Sequence, residues 1–198
     1  MLLGSLVMLL AAPGQVFAQE TEPAVSQLRD FYAVLLQTMK DADRLKLKGR
    51  YEKLAPAVEQ TFDLPAMTRI AVGPAWTTIS APEQAQLIEQ FSRMTIANYA
   101  SQFDGYSGEQ FEVDPKTSER NGNRVVQSRL IRPKGDPVML NYLFHSTPKN
   151  WKAIDVYLNG TISELATRRS EFGALLKSKG ASALIDSLKQ RTDKLMSG

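Results

Sequence analysis

The chain has 198 residues, of which 43% are hydrophobic, enough for one domain with a sizeable core. Because it contains no cysteine, disulfides, zinc–thiolate sites and thiol nucleophiles are excluded. Its 24 Lys and Arg and 21 Asp and Glu are interspersed along the chain and leave a net charge of +3. Without a block of like charge, this composition argues against a nucleic-acid partner.

The N-terminal segment has the pattern of a secretory signal peptide. Residues 1–12 form an uncharged apolar run, and Val16-Phe17-Ala18 supplies a small-x-small cleavage site. Cleavage after Ala18 leaves residues 19–198, which we expect to form a single secreted domain. A retained membrane anchor is the alternative, although the run is shorter than the roughly 20 apolar residues that a membrane span needs.

Two helices are predicted in the first third of the mature chain. Apolar residues recur at helical spacing from Val25 to Met39, which predicts an amphipathic helix. Tyr51–Phe62 predicts a shorter helix, and we expect a break or kink near Pro56, since proline removes a backbone donor.

Two further helices carry start and stop signals. Asp63-Leu64-Pro65 reads as a cap followed by proline in the first turn, and it predicts a short helix through Ile70 that ends at Gly73-Pro74. Ser80-Ala81-Pro82-Glu83 is a capping box, which opens a long helix to about Phe103.

After Gly105 the apolar period changes from helical to strand-like. Turn-forming segments rich in Gly, Pro and Asn separate four strand candidates and predict an antiparallel meander. The four candidates are Gln110–Asp114, Arg124–Arg132, Val138–His145 and Trp151–Leu158.

Two helices close the chain. Thr161-Ile162-Ser163-Glu164 is a second capping box, and the helix that it begins is expected to stop at Lys179-Gly180. A final helix carries Leu184, Leu188 and Leu195. Helices, then a sheet, then closing helices predict a single domain of the α+β class.

Alternation along the strands predicts one apolar wall that faces the helices. The inward positions are Val126, Leu130, Val138, Leu140, Tyr142, Phe144, Ile154, Val156 and Leu158. The simplest interpretation is an ordinary filled core. The alternative is a ligand cavity, favoured by the adaptable side chains of Met67 and Met94 and by the polar tips of Tyr99 and Tyr142.

No residue pattern points to catalysis or to a metal. The sequence has no nucleophile elbow, zinc-protease motif, Walker loop or dinucleotide fingerprint. Its one histidine, His145, is predicted to have a surface or structural role. Asp155 lies between Ile154 and Val156, and we expect it to point outward and to form a surface salt bridge or an interdomain hydrogen bond; an acid catalyst is the alternative.

Several segments of the chain form a recognisable set. They are Phe62-Asp63-Leu64-Pro65, Val72-Gly73-Pro74 with Trp76, Val138-x-Leu140-x-Tyr142-x-Phe144, Trp151-x-x-Ile154-Asp155-Val156, Gly160-x-Ile162-Ser163 and Ser170-Glu171-Phe172. Together they resemble the MlaC-type periplasmic lipid-binding family, also called toluene-tolerance proteins. Through Leu54-Ala55-Pro56, Phe62-Asp63-Leu64-Pro65 and Gly108-Glu109-x-Phe111, the chain is also similar to the hopanoid-biosynthesis-associated, HpnM-like branch of that family.

The resemblance implies a four-stranded sheet curved around helices, somewhat like the cystatin and NTF2-like folds, with an apolar cavity for acyl chains. It implies a non-catalytic shuttle without cofactor or metal that carries phospholipid or hopanoid. Its expected partners are an inner-membrane lipid transporter and an outer-membrane lipoprotein. An enzyme or a non-lipid scaffold on a related fold is the alternative. We expect the inward strand residues named above, together with Met67, Phe91, Met94 and Tyr99, to line the cavity.

Overall fold

The computed structural model of the chain describes residues 22–197, in which helices precede and follow one antiparallel sheet. The predicted signal segment, residues 1–18, lies outside the described residues. The helices are α1 (Pro23–Lys40), α2 (Ala42–Thr61), α3 (Leu64–Val72), a 3-10 helix (Gly73–Thr78), α4 (Ala81–Gln102) and α5 (Glu164–Met196). The strands are β1 (Gln110–Arg120), β2 (Asn123–Ile131), β3 (Val138–Ser146), β4 (Trp151–Leu158) and β5 (Ile162–Ser163), in the spatial order β1-β2-β3-β4-β5.

The predicted caps begin α3 and α4. The Oδ1 atom of Asp63 accepts a hydrogen bond from the Ala66 amide at 3.0 Å, which satisfies one of the unpaired donors at the start of α3. Ser80 and Glu83 form the capping box at the start of α4. Both boundaries therefore follow from local side-chain chemistry.

The prediction for α2 was wrong at two points. The helix begins at Ala42 instead of Tyr51, and its backbone breaks at Lys46 (φ 53°, ψ −177°) instead of near Pro56. Pro56 is exposed and lies within the helix. The polar start of α2 is held by the buried Arg50, whose Nε atom donates to a backbone carbonyl of α4 at 2.8 Å. This tertiary contact has no signature in the apolar spacing.

The first strand is longer than predicted. It continues to Arg120 instead of ending at Asp114, with an irregularity in its pairing between Val113 and Thr117. Pro115 lies at that irregularity, and β1 is an edge strand, where a missing backbone donor is tolerated. Proline therefore interrupts the ladder here without ending the strand.

The sheet has five strands, not the predicted four, because Ile162 and Ser163 pair with the end of β4. Helix α5 consequently starts later than the predicted capping box: its N-cap is Ser163, whose Oγ accepts from the Ala166 amide at 2.9 Å. The predicted helix end at Lys179-Gly180 is confirmed as a break inside α5, since Gly180 has φ 79° and ψ −178°.

The break at Gly180 reverses the chain direction. Arg191 Nη1 lies 2.8 Å from the Oε2 atom of Glu171, although 20 residues separate them. In a straight helix these residues would lie about 30 Å apart. The two halves of α5 therefore pack side by side as a helical hairpin.

Candidate functional site

An apolar pocket with a volume of about 260 Å³ lies between the sheet and helices α4 and α5. Its walls come from β3, β4, α3, α4 and the first turns of α5, and Phe62 follows the end of α2. The lining residues are Phe62, Met67, Phe91, Met94, Thr95, Asn98, Tyr99, Gln102, Phe103, Leu140, Tyr142, Val156, Leu158, Glu164, Leu165 and Arg168. The volume lies just below the roughly 300–1,000 Å³ that is typical of small-molecule sites.

The floor of the pocket is a patch of β3 and β4. Leu140 pairs with Leu158, and Tyr142 pairs with Val156, so the four side chains lie on one face of the sheet. The pleat directs them toward the helices. This patch offers an aliphatic surface with a single hydroxyl group.

Aromatic rings line one part of the pocket. The Tyr99 and Phe103 rings are stacked, with centroids 5.8 Å apart, and the centroids of Phe62 and Tyr99 are 5.7 Å apart. Phe62 is only 1% exposed, because Phe31 of α1 packs edge-on behind it at 5.4 Å. Such ring contacts hold this wall in one arrangement.

The tyrosine hydroxyls near the pocket stay protonated. Burial raises the pKa of Tyr99 and of Tyr142 well above the usual value. Burial also raises the pKa of Tyr32 to about 12, against the opposing effect of its hydrogen bond with Ser128, whose Oγ lies 2.7 Å from the Tyr32 hydroxyl. These hydroxyls are therefore neutral at physiological pH and make poor proton acceptors.

The rim of the pocket is polar and charged. Asn98 and Gln102 of α4 lie at the pocket together with Glu164 and Arg168 of α5. Arg168 Nη1 lies 3.4 Å from the Oε2 atom of Glu171. The two charged side chains of the lining, Glu164 and Arg168, thus both come from the start of α5.

The start of α5, which supplies that rim, is held in place by Asp155. We predicted that Asp155 lies at the surface, which is wrong: it is only 7% exposed, because β5 and the start of α5 cover it. Its carboxylate accepts hydrogen bonds from Ser163 Oγ at 2.6 Å, from the Leu165 amide at 3.1 Å and from the Val156 amide at 2.8 Å. The residue therefore has a hydrogen-bonding role and fixes α5 against β4.

Eight of the thirteen predicted cavity residues come together at this pocket. The α3 and α4 members and the central positions of β3 and β4 all contribute. They are Met67, Phe91, Met94, Tyr99, Leu140, Tyr142, Val156 and Leu158. Contact of these residues with a ligand stays a prediction.

The other five predicted residues lie elsewhere. Val126 and Phe144 are fully buried in the filled core. Leu130 and Val138 pair with each other on β2 and β3 and are partly buried against the core. Ile154 lies at a bulge, where Ala153 takes the position opposite Phe144. Alternation identified the inward face of most strands. It did not show which part of that face borders an unfilled space.

Half of the pocket lining was not predicted. The eight residues are Phe62, Thr95, Asn98, Gln102, Phe103, Glu164, Leu165 and Arg168. One signal was available on α4, because Thr95, Asn98 and Gln102 continue the helical stripe of Phe91 at i+3 and i+4 spacing. No comparable signal connects Glu164 and Arg168 to the sheet, since α5 reaches it only through the tertiary fold.

His145 lies away from the pocket lining. Its Nε2 atom is 2.9 Å from the Oδ2 atom of Asp63, the residue that caps α3, so it ties β3 to that helix. Among residues 22–197, no cluster of His, Asp or Glu could hold a metal ion. Within the same range, no helix is both long enough and apolar enough to span a membrane.

The fold and the pocket define a class: an α+β protein with an apolar pocket between a meander sheet and a helical layer. A sequence model of the MlaC protein family matches residues 30–190. The chain therefore belongs to the MlaC family. No curated protein matches the chain.

A solved structure shares the fold. It is described as the phospholipid-binding protein from Ralstonia solanacearum in complex with a phospholipid. The TM-score is 0.77 at 22% sequence identity, and the match covers 88% of this chain and 99% of that one. This likeness confirms the predicted α+β fold with closing helices.

Proposed function

We propose that this protein binds one membrane phospholipid. An acyl chain lies in the pocket between the sheet and helices α4 and α5, and the headgroup lies at the rim. The observation that carries the proposal is the pocket itself: an apolar interior with charged groups at one edge only. That distribution matches the chemistry of an amphipathic lipid. The family match and the phospholipid in the Ralstonia solanacearum structure support the same ligand class.

The pocket favours binding over catalysis. General acid–base work needs a group with a pKa near the working pH. The tyrosines of the pocket have raised pKa values, and the hydroxyl of Thr95 already donates to the Phe91 carbonyl at 2.8 Å. The two charged residues at the rim, Glu164 and Arg168, suit recognition of a polar group better than attack on an ester.

A shuttle is the role that such a pocket serves best. Exposing a 16-carbon chain to water costs about 0.8 kcal/mol per methylene, more than about 10 kcal/mol in all. A protein that covers the chain removes this cost while the lipid crosses an aqueous compartment. We propose the periplasm as the compartment, and an inner-membrane transporter and an outer-membrane lipoprotein as the donor and acceptor partners.

The pocket also fits the requirement for release. Its size requires the walls to move when a long chain enters, and Met67 and Met94 are unbranched side chains that can adapt their shape. Few fixed polar groups reach the interior, so the chain is held mainly by non-directional contacts. Binding of this kind lets the lipid leave by the same path. A hopanoid cargo, suggested by the resemblance to the HpnM-like branch, remains the alternative lipid.

Extraction of lipid from the native protein tests the proposal. We expect about one lipid molecule per protein after purification without detergent and solvent extraction, measured by mass spectrometry. A diacyl phospholipid in the extract supports the proposal. A hopanoid without phospholipid would mean that the ligand is a hopanoid instead of a phospholipid. Protein that carries no lipid, and takes none from phospholipid vesicles, would contradict the lipid-binding role.

A further inference from the structure

Two opposite charges lie side by side on the rim of the pocket. Glu164 and Arg168 are one helical turn apart on α5, both line the pocket, and both are half-buried. Side chains at this spacing have Cβ atoms about 5–6 Å apart. A bound polar group at the rim therefore meets a carboxylate and a guanidinium together.

The Glu164 carboxylate is available to a ligand. Within residues 22–197 it forms no hydrogen bond or ion pair, although Arg168 follows it at the spacing that favours a helical salt bridge. It lies in the first turn of α5, where the unpaired helix amides stabilise negative charge. The helix end thus favours an acidic side chain at this point of the rim and does not pair it with a cation.

Arg168 is likewise only partly engaged. Among the described residues, its one ion pair is with Glu171 at 3.4 Å, and Glu171 is bound more closely by Arg191 at 2.8 Å. The Arg191 guanidinium beside Glu171 lowers the pKa of that carboxyl, so Glu171 stays ionised and anchors both arginines. A guanidinium has five N–H donors, and most of those of Arg168 remain free for an anion.

We propose that this pair selects a zwitterionic headgroup that carries a phosphate and a primary ammonium, as in a phosphoethanolamine lipid. The inference rests on the proposed function, because the acyl chains in the pocket bring the headgroup to the rim. Arg168 binds the phosphate through paired N–H donors, and Glu164 accepts hydrogen bonds from the ammonium. An anionic headgroup without the amine leaves the Glu164 carboxylate facing a negative charge.

The residues that α4 contributes to the rim do not discriminate by charge. Asn98 and Gln102 of α4 offer neutral amides that can donate to or accept from any headgroup. Selectivity for the amine therefore depends on Glu164, and affinity for the phosphate depends on Arg168.

Competition between two phospholipids tests this inference. The mature protein is incubated with vesicles of equimolar phosphatidylethanolamine and phosphatidylglycerol with identical acyl chains, separated by flotation, and its lipid is counted by mass spectrometry. We expect the wild type to enrich phosphatidylethanolamine about fivefold, the effect of one partly exposed charge interaction. Glu164→Gln should bring the ratio to about one, and Glu164→Lys should favour phosphatidylglycerol.

The Arg168→Gln variant separates the two roles. It should lower loading with both phospholipids, but not with diacylglycerol of the same chains, which has no phosphate. Glu89→Gln and Arg93→Gln are the matched controls, because both residues are exposed on α4 outside the pocket lining. Wild-type ratios in both Glu164 variants, or no enrichment by the wild type, would overturn the headgroup inference and leave lipid binding intact. Failure of the wild type to take any lipid would instead overturn the proposed function.

Discussion

The inner face of the sheet has two regions that differ in how the helices cover them. Where α1 packs, Phe31 and Tyr32 reach the sheet and the space is filled, with Val126 and Phe144 fully buried beneath. Where α4 and α5 face the sheet, the side chains of Met94 and its neighbours do not fill the space, and the pocket remains. The strands contribute similar apolar residues to both regions, so the helices decide which region is solid.

The row of residues that crosses the sheet at Tyr142 shows the boundary. Val126 pairs with Tyr142 from β2, and Val156 pairs with Tyr142 from β4. Val126 is fully buried in the core, whereas Val156 lines the pocket. The two valines lie on one face of the sheet beside the same tyrosine, yet Val126 is in the filled region and Val156 borders the pocket.

The largest expected effect comes from emptying the filled region. Phe31→Ala removes a ring that is 1% exposed and that contacts Phe62 and Tyr99 edge-on, at 5.4 and 5.2 Å. We expect the free energy of unfolding to fall by about 3–5 kcal/mol, measured by urea denaturation with circular dichroism. Met94→Ala should cost about 2 kcal/mol, because the space it leaves joins the pocket. Equal losses in the two variants would show that the regions do not differ in packing.

A smaller effect comes from adding volume to each region. Val126→Trp overpacks a filled core and should lower the free energy of unfolding by about 1–3 kcal/mol. In Val156→Trp, and also in Leu140→Trp, the indole can occupy pocket volume, so stability should change by less than about 1 kcal/mol while lipid content falls. Thermal melts and lipid extraction on the same samples measure both quantities. Full lipid content with a sharply lowered melting temperature in Val156→Trp would mean that this position is solid core.

The smallest effect concerns the hydroxyl of Tyr32 in the filled region. Tyr32→Phe loses the hydrogen bond to Ser128 and should cost about 1 kcal/mol at neutral pH. The pKa of Tyr32 is raised from 10.0 to about 12 in the folded protein. The stability that this raised pKa contributes is therefore complete below pH 10. It is lost as the pH rises from 10 to 12, because Tyr32 ionises first in the unfolded state.

Alkaline titration of both proteins checks this sign. Urea unfolding at pH 8, 10 and 11 should show that wild-type stability falls more steeply than that of Tyr32→Phe. Parallel decreases in the two proteins would indicate that Tyr32 titrates normally in the fold.

Much of the element order could be predicted because its signals are local. The caps at Asp63 and Ser80 and the break at Gly180 depend on a few neighbouring residues, and the structure confirms all three. The errors arose where residues that are distant in sequence determine the bounds of an element. Arg50 stabilises a polar helix start through a carbonyl of α4, and β5 exists because two residues pair with the end of β4.

The sequence by itself determined the α+β class and the inward face of most of the sheet, and eight of the residues that it predicted for a cavity lie at the pocket. Alternation and helical spacing carry that information, because each depends only on the geometry of one element. Only the tertiary structure decided that the space opens beside α4 and α5, and that Asp155 is buried beneath the start of α5. It also brought Glu164 and Arg168 to the rim. Packing between elements that are distant in sequence determines where a void remains and which residues are buried. The periodicity within a single element contains no information about that packing.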